Sequence, residues 1–76
     1  MKFDLDIDAI GLLCPLPVLR LRKALLAAKP GQVVRLMASD EMAQIDVPHF
    51  CAESGYELLE SATEGRALHF LVRKPQ

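Results

Sequence analysis

Apolar and polar positions alternate at the start of the chain, with Phe3, Leu5 and Ile7 set against Asp4, Asp6 and Asp8. A period of two predicts a strand with one face buried and the other wet. After Gly11 and the Pro15/Pro17 pair the period changes: Val18, Leu21, Ala24, Leu25 and Ala28 fall on one arc of a helix that the Lys29-Pro30-Gly31 stop ends. A β-branched run, Val33-Val34 followed by Leu36, predicts a second strand ending near Ala38. Two strands joined by a helix imply a parallel crossover.

The stretch from Met42 to Ser54 contains Pro48, which cannot sit deep in a regular helix. With Asp46 as N-cap, Pro48 falls in the first turn, any helix before Asp46 is irregular, and Gly55 supplies the left-handed residue after the end. Tyr56 to Ala62 reads as a strand, Thr63-Glu64-Gly65-Arg66 as a hairpin turn, and Leu68, Phe70 and Val72 as the inward positions of a last strand. The order βαβαββ predicts an α+β fold. It is a two-layer α/β sandwich in which both helices cover one face of a four-stranded mixed sheet and the other face stays partly open.

With 76 residues there is material for one core, so the expectation is a single domain over residues 1–76. A composition of 51% hydrophobic and 25% charged residues is that of a globular domain and excludes the disordered and collagen-like classes. No apolar run is long enough to span a bilayer. The opening Met1-Lys2-Phe3-Asp4-Leu5-Asp6 lacks the continuous apolar stretch of a signal peptide, so the expected location is cytoplasmic. Two cysteines are too few for a disulfide scaffold, and a reducing compartment keeps them as thiols.

The candidate chemistry lies in Gly11-Leu12-Leu13-Cys14-Pro15-Leu16-Pro17-Val18. Pro15 disfavours α geometry at Cys14, which fits the cysteine to an N-cap position, with Pro15 and Pro17 in the first and third helical positions stiffening the opening turn. A helix N-terminus favours an anion, so this placement is expected to lower the Cys14 pKa and supply a thiolate. The net charge of −1 is unevenly spread: no acid lies between Ala9 and Ser39, a stretch that carries Arg20, Arg22, Lys23, Lys29 and Arg35. A negative sulfur at Cys14 would therefore meet no local repulsion, and Arg20, Arg22 and Lys23 follow within two turns. The competing readings are a solvated basic helix face and a small cysteine buried as an inert hydrophobe.

Cys51, beside Phe50 and Ala52 within the second helix, reads as a packed thiol. Nothing in the sequence brings it to Cys14 for a disulfide. His49 and Cys51, two apart on a helix, diverge and do not converge on a metal, and His69 reads as a surface residue of the open sheet face. Leu16, Leu19 and Leu26 project away from the core arc on the side of Lys23. Either the second helix covers Leu19 and Leu26, or an apolar patch containing Leu16 and Leu19 and rimmed by Arg20 and Lys23 receives another protein.

These residues resemble a known family over nearly the whole chain, the TusA/SirA-like sulfur carriers. The resemblance rests on a Gly-Leu-x-Cys-Pro-x-Pro box at Gly11 to Pro17, the basic Arg22-Lys23, and the run Asp46-Val47-Pro48-His49-Phe50-Cys51. Gly55-Tyr56-Glu57-Leu58 and the ending Phe70-Leu71-Val72-Arg73-Lys74 extend it. The chain departs from the family at Asp40-Glu41, where Asp-Pro is usual, at Tyr56, where His is common, and at Leu16, where the best-known tRNA-relay members carry an acid. The resemblance implies a sheet in the order 1-2-4-3 with strand 4 antiparallel to the others, and a box cysteine, here Cys14, that accepts sulfane sulfur as a persulfide. It also implies partners: a cysteine desulfurase or other sulfane-sulfur donor, and a downstream relay protein serving tRNA thiolation or sulfur oxidation.

The expected mechanism is two-step thiol exchange, in which Cys14 attacks a donor persulfide and then offers the sulfur to an acceptor thiol, without metal or organic cofactor. No general base or substrate pocket is legible, so a stoichiometric carrier, a sulfurtransferase component that works with partner enzymes, is expected ahead of an enzyme turning over alone. A thioredoxin-like redox site would need Cys-x-x-Cys, and Pro17 occupies the second place. The main alternative is a nucleic-acid-binding or regulatory module presenting the basic helix to phosphates. The negative net charge and the few aromatic residues, one Tyr, three Phe and no Trp, count against direct nucleic-acid binding.

Overall fold

The chain is described by a computed structural model over residues 3–76, so Met1 and Lys2 of the acid-alternating start lie outside the described residues. The elements run β1 (Leu5–Ala9), α1 (Leu16–Ala27), β2 (Val33–Ala38), α2 (Ala43–Ser54), β3 (Glu57–Glu64) and β4 (Ala67–Arg73). The sheet order is β1-β2-β4-β3, with β1 and β2 parallel and β4 antiparallel to both its neighbours. The α+β architecture expected from the punctuation and the family pattern is the one observed.

The core lies between the sheet and the two helices. Leu21 and Leu25 of α1 and Val47 and Cys51 of α2 are buried against Val34, Leu36, Phe70 and Val72 of the two central strands. Leu68, Phe70 and Val72 face inward as their alternation predicts. The edge strands behave differently. In β1 only Ala9 is fully buried, Leu5 is exposed, and Phe3 is not in the core cluster. Phe3 instead lies 4.5 Å under the Arg35 guanidinium. Of the inward set expected at Phe3, Leu5 and Ile7, Ile7 packs against the core beside the buried Ala9, while Phe3 is carried off it where the chain bends at Asp4, before β1 begins. At the other edge β3 is largely exposed and carries Glu57, Glu60 and Glu64, charges that discourage pairing with another chain.

The hairpin end of β3 and the start of α2 differ from the periodicity reading. Strand β3 runs closer to the turn than expected, to Glu64, because Gly65 at φ +60° closes the hairpin in two residues and lets Glu64 pair with Ala67. Helix α2 starts at Ala43, so Asp46 is its fourth residue and Met42, not Asp46, is the N-cap. Ala43, Gln44 and Ile45 bond to the carbonyls three residues back, so the helix begins with a tightened turn and Pro48 lies inside it. Gly55 does end α2 at φ +79°.

Lys74 stitches the last strand to α1. Its Nζ donates to the carbonyl oxygens of Ala28 at 2.9 Å and Leu26 at 3.4 Å, where α1 has no basic residue in its own last turn. Lys74→Met keeps the stem and removes these bonds. It is expected to lower stability by about 1 kcal/mol, read as a lower denaturant midpoint at unchanged slope.

Candidate functional site

Parallel pairing of β1 and β2 sets Ala9 beside Ala38, so both strands end at the same edge of the sheet. The loops that follow, 10–15 and 39–42, therefore emerge side by side, and they are tied together. The Gly11 N–H donates to Ser39 Oγ at 2.8 Å, and the Cys14 N–H donates to Asp40 Oδ2 at 2.6 Å. The second oxygen of Asp40 accepts the Met42 N–H at 3.1 Å, and its carbonyl accepts the Ala43 N–H at 3.0 Å. One aspartate thus starts α2 and fixes the backbone of Cys14.

Cys14 is exposed, and its thiol donates to Asp46 Oδ2 at 3.0 Å. It is not the N-cap of α1. Pro15 holds that position, with Leu16 and Pro17 as the first two helical residues, and the Cys14–Pro15 peptide is cis. Cys14 therefore sits one residue farther from the helix dipole than the sequence predicts, in a turn closed by the Leu16 N–H bond to the Leu13 carbonyl at 2.8 Å.

The electrostatics reverse the expectation. The Asp46 hydrogen bond, partial loss of water and the charges of Asp46 and Asp40 all raise the Cys14 pKa above that of an ordinary thiol. The segment around Cys14 contains no acid, yet two acids from the far side of β2 meet it. The surroundings of the exposed Cys14 sulfur favour the neutral thiol over the thiolate anticipated from the helix N-terminus.

Asp40 shifts the other way. The Cys14 N–H, then the Met42 N–H, hold its carboxyl below the ordinary aspartate value, against a smaller opposing effect of burial. A folded value below the unfolded one means the tie stabilises fully above the unfolded pKa and is lost as pH falls through the folded value. The Cys14 amide resonance is therefore expected to titrate with a midpoint below the ordinary value of about 3.9, and a midpoint at that value would remove the tie.

The cations expected around Cys14 are dispersed. Arg20 and Lys23 line a shallow hollow with Ile7, Ala24 and Ala27 on the β1 flank of α1, and Arg22 is exposed on the same helix. Arg35 is on the opposite face of the sheet, bonded to both oxygens of Asp6 at 3.0 and 2.7 Å. The acid-free segment therefore does not fold into one basic side. His69 lies half-buried on that open face, 3.7 Å from Glu64, and His49 pairs with Glu53 at 3.1 Å. No cluster of metal-ligating side chains occurs among the described residues.

Exposed apolar residues neighbour Cys14 and its contact Asp46 along the chain. Leu13 is 69% exposed and Leu16 46% on either side of Cys14, and α2 contributes Met42 and Ile45, the latter 64% exposed. Leu19 and Leu26 are also exposed, so α2 does not cover them. Cys51 is buried and unbonded, and burial pushes its thiol up to about 11. Sequence reasoning singled out Cys14, Leu16 and Leu19. It missed Asp40, Met42, Ile45 and the contact of Asp46 with the sulfur. From the sequence Asp46 reads as a cap, and its place in the resembling Asp-x-Pro run is the one signal that marks it.

The family model described as "Sulfurtransferase TusA" matches residues 5–74. The chain is 46% identical over 72 residues to the sulfur carrier protein TusA of Allochromatium vinosum, covering 95% of each chain. It is 38% identical over 74 residues to YrkI of Bacillus subtilis, covering 97% of this chain and 99% of the other. In three dimensions it is similar to the crystal structure of a SirA-like protein from Desulfitobacterium hafniense. The TM-score is 0.84 at 24% identity, over 96% of this chain and 100% of that one, a likeness of fold. With the family match spanning both loops that meet at Cys14, the chain belongs to the TusA sulfurtransferase family.

Proposed function

We propose that this protein carries sulfane sulfur as a persulfide on Cys14, taking it from a cysteine desulfurase or another persulfide donor and passing it to an acceptor protein. The relay serves tRNA thiolation or sulfur oxidation, in the cytoplasm, where thiols stay reduced. The observation that carries the reading is an exposed sulfur held on a cross-linked loop edge, in a chain of the TusA sulfurtransferase family. Three surface hollows among the described residues lie away from Cys14, against Arg35 and His69, beside Arg66, and beside Arg20 and Lys23. In this reading donor and acceptor sulfurs arrive on other proteins, and the exposed apolar residues Leu13, Leu16, Met42 and Ile45 give those proteins a surface to bury, with Leu19 one turn further along α1.

The exchange is redox-neutral. The Cys14 sulfur attacks the terminal sulfur of the donor persulfide, the donor S–S bond breaks as a new one forms on Cys14, and the departing thiolate takes up the proton that Cys14 gave. Repetition toward an acceptor thiol returns Cys14 to its starting state, the behaviour of a stoichiometric carrier. No helix among the described residues is long and apolar enough to cross a membrane. The test is mass spectrometry of the intact protein after incubation with a cysteine desulfurase and cysteine. One added sulfur on the peptide that holds Cys14 is the expected result, and a protein of unchanged mass is the result that removes the reading.

A further inference from the structure

The contact between Cys14 and α2 has a consequence beyond carriage. Asp46 is held rigidly where it meets the thiol: its N–H bonds to the Met42 carbonyl at 2.8 Å, and the next residue, Val47, is fully buried in the core. Cys14 is gripped at two points, backbone N–H to Asp40 and Sγ to Asp46, so both the position and the direction of the sulfur are set by residues 26 and 32 positions away. A thiol hydrogen-bonded to a carboxylate is the proton-bearing form of the sulfur, and the thiol is a far weaker nucleophile than the thiolate.

We propose that Asp46 is the positioning residue for Cys14: its carboxylate accepts the thiol hydrogen of the unloaded protein, aims Sγ, and keeps the sulfur unreactive until that hydrogen bond is broken. The groups facing the sulfur are Asp46 from α2 and Asp40 from the β2–α2 loop. The charged residues Arg20 and Lys23 of α1 line the hollow beside Ile7, and His49 of α2 is engaged with Glu53. An unloaded carrier built this way resists stray electrophiles and oxidants. It gains its nucleophile when a docked partner displaces or neutralises Asp46. In the exchange, the proton that ends on the departing donor thiolate is the one that Cys14 gives up, so no further acid or base is required for the balance.

This device rests on Cys14 as the sulfur-bearing atom, but its test does not need a sulfur donor. The full chain is alkylated with iodoacetamide across a pH series, and the rate at Cys14 is followed by peptide mass spectrometry. In the wild type the midpoint is expected above that of Cys14 in the same chain under denaturant. Asp46→Asn, which keeps size and shape, is expected to lower the native midpoint and raise the rate at neutral pH several-fold. Asp46→Glu, which keeps the acceptor charge, is expected to restore slow alkylation. Native and denatured wild type titrating alike would overturn the proposal, even if Asp46→Asn failed to fold. A folded Asp46→Asn with an unchanged profile would overturn it as well. Persulfide loading of the wild type reads the carrier assignment separately. If loading fails while the alkylation profile shifts as stated, Asp46 keeps its role and carriage falls.

Discussion

Cys14→Ser is expected to abolish sulfur loading completely, while Cys51→Ser loads like the wild type. The difference follows from geometry. Cys14 is exposed on the loop edge, whereas Cys51 is only 2% exposed among core residues and its thiol is pushed up to about 11. At neutral pH a thiol with that value is almost entirely protonated, and a donor persulfide cannot reach it in the folded state. Serine at position 14 keeps the N–H that binds Asp40 and offers a hydroxyl to Asp46, so the fold should be retained. A hydroxyl at that position does not form a stable persulfide. The measurement is the mass of each variant after incubation with a desulfurase and cysteine. Sulfur that persists in Cys14→Ser, or vanishes in Cys51→Ser, would move the site.

The second large effect is on stability. Phe70 is 1% exposed at the centre of β4, with its Cα opposite Leu36 of β2 and Ser61 of β3. Phe70→Ala removes the largest fully buried side chain and is expected to cost about 3–5 kcal/mol. For a chain of this length the total stability is on the order of 4–11 kcal/mol, so the variant should be close to unfolding at ambient temperature. Denaturant titration reads the loss directly. Alkylation of Cys51 reads it independently, since that thiol becomes accessible only when the core opens. A loss below about 1 kcal/mol would mean that the core does not close around this ring.

Both effects bear on how a persulfide carrier of this size can work. The fold gives the sulfur a fixed platform from two parallel strands and the loops they release at one edge. The chemistry at that platform is restrained, not primed: acids meet the thiol, and the cations of α1 face elsewhere. On the proposed role of Asp46, reactivity then depends on what docks beside the site. That assigns timing to the partner and storage to the carrier.

Read as a string, the residues already contain the element order, because strand and helix are local periodicities punctuated by Gly11, Pro30, Gly55 and Gly65. They also mark Cys14, since a cysteine between a glycine turn and two prolines is distinctive at short range. The start of α2 was not legible, because Met42 caps it without a side-chain bond and Asp40 does the work from the preceding loop. Nor was the sign of the field at the sulfur. A charge map along the chain shows cations following position 14 and no acid between Ala9 and Ser39, yet interaction energies depend on distance in space. The pairing of Ala9 with Ala38 folds the acids of one loop and helix onto the cysteine of another, while the helical twist turns Arg20 and Lys23 toward the β1 flank. Sequence marked the sulfur proposed to carry the chemistry, through local backbone constraints, and only the tertiary structure, by bringing Asp40 and Asp46 to it, decided that its surroundings favour the protonated thiol.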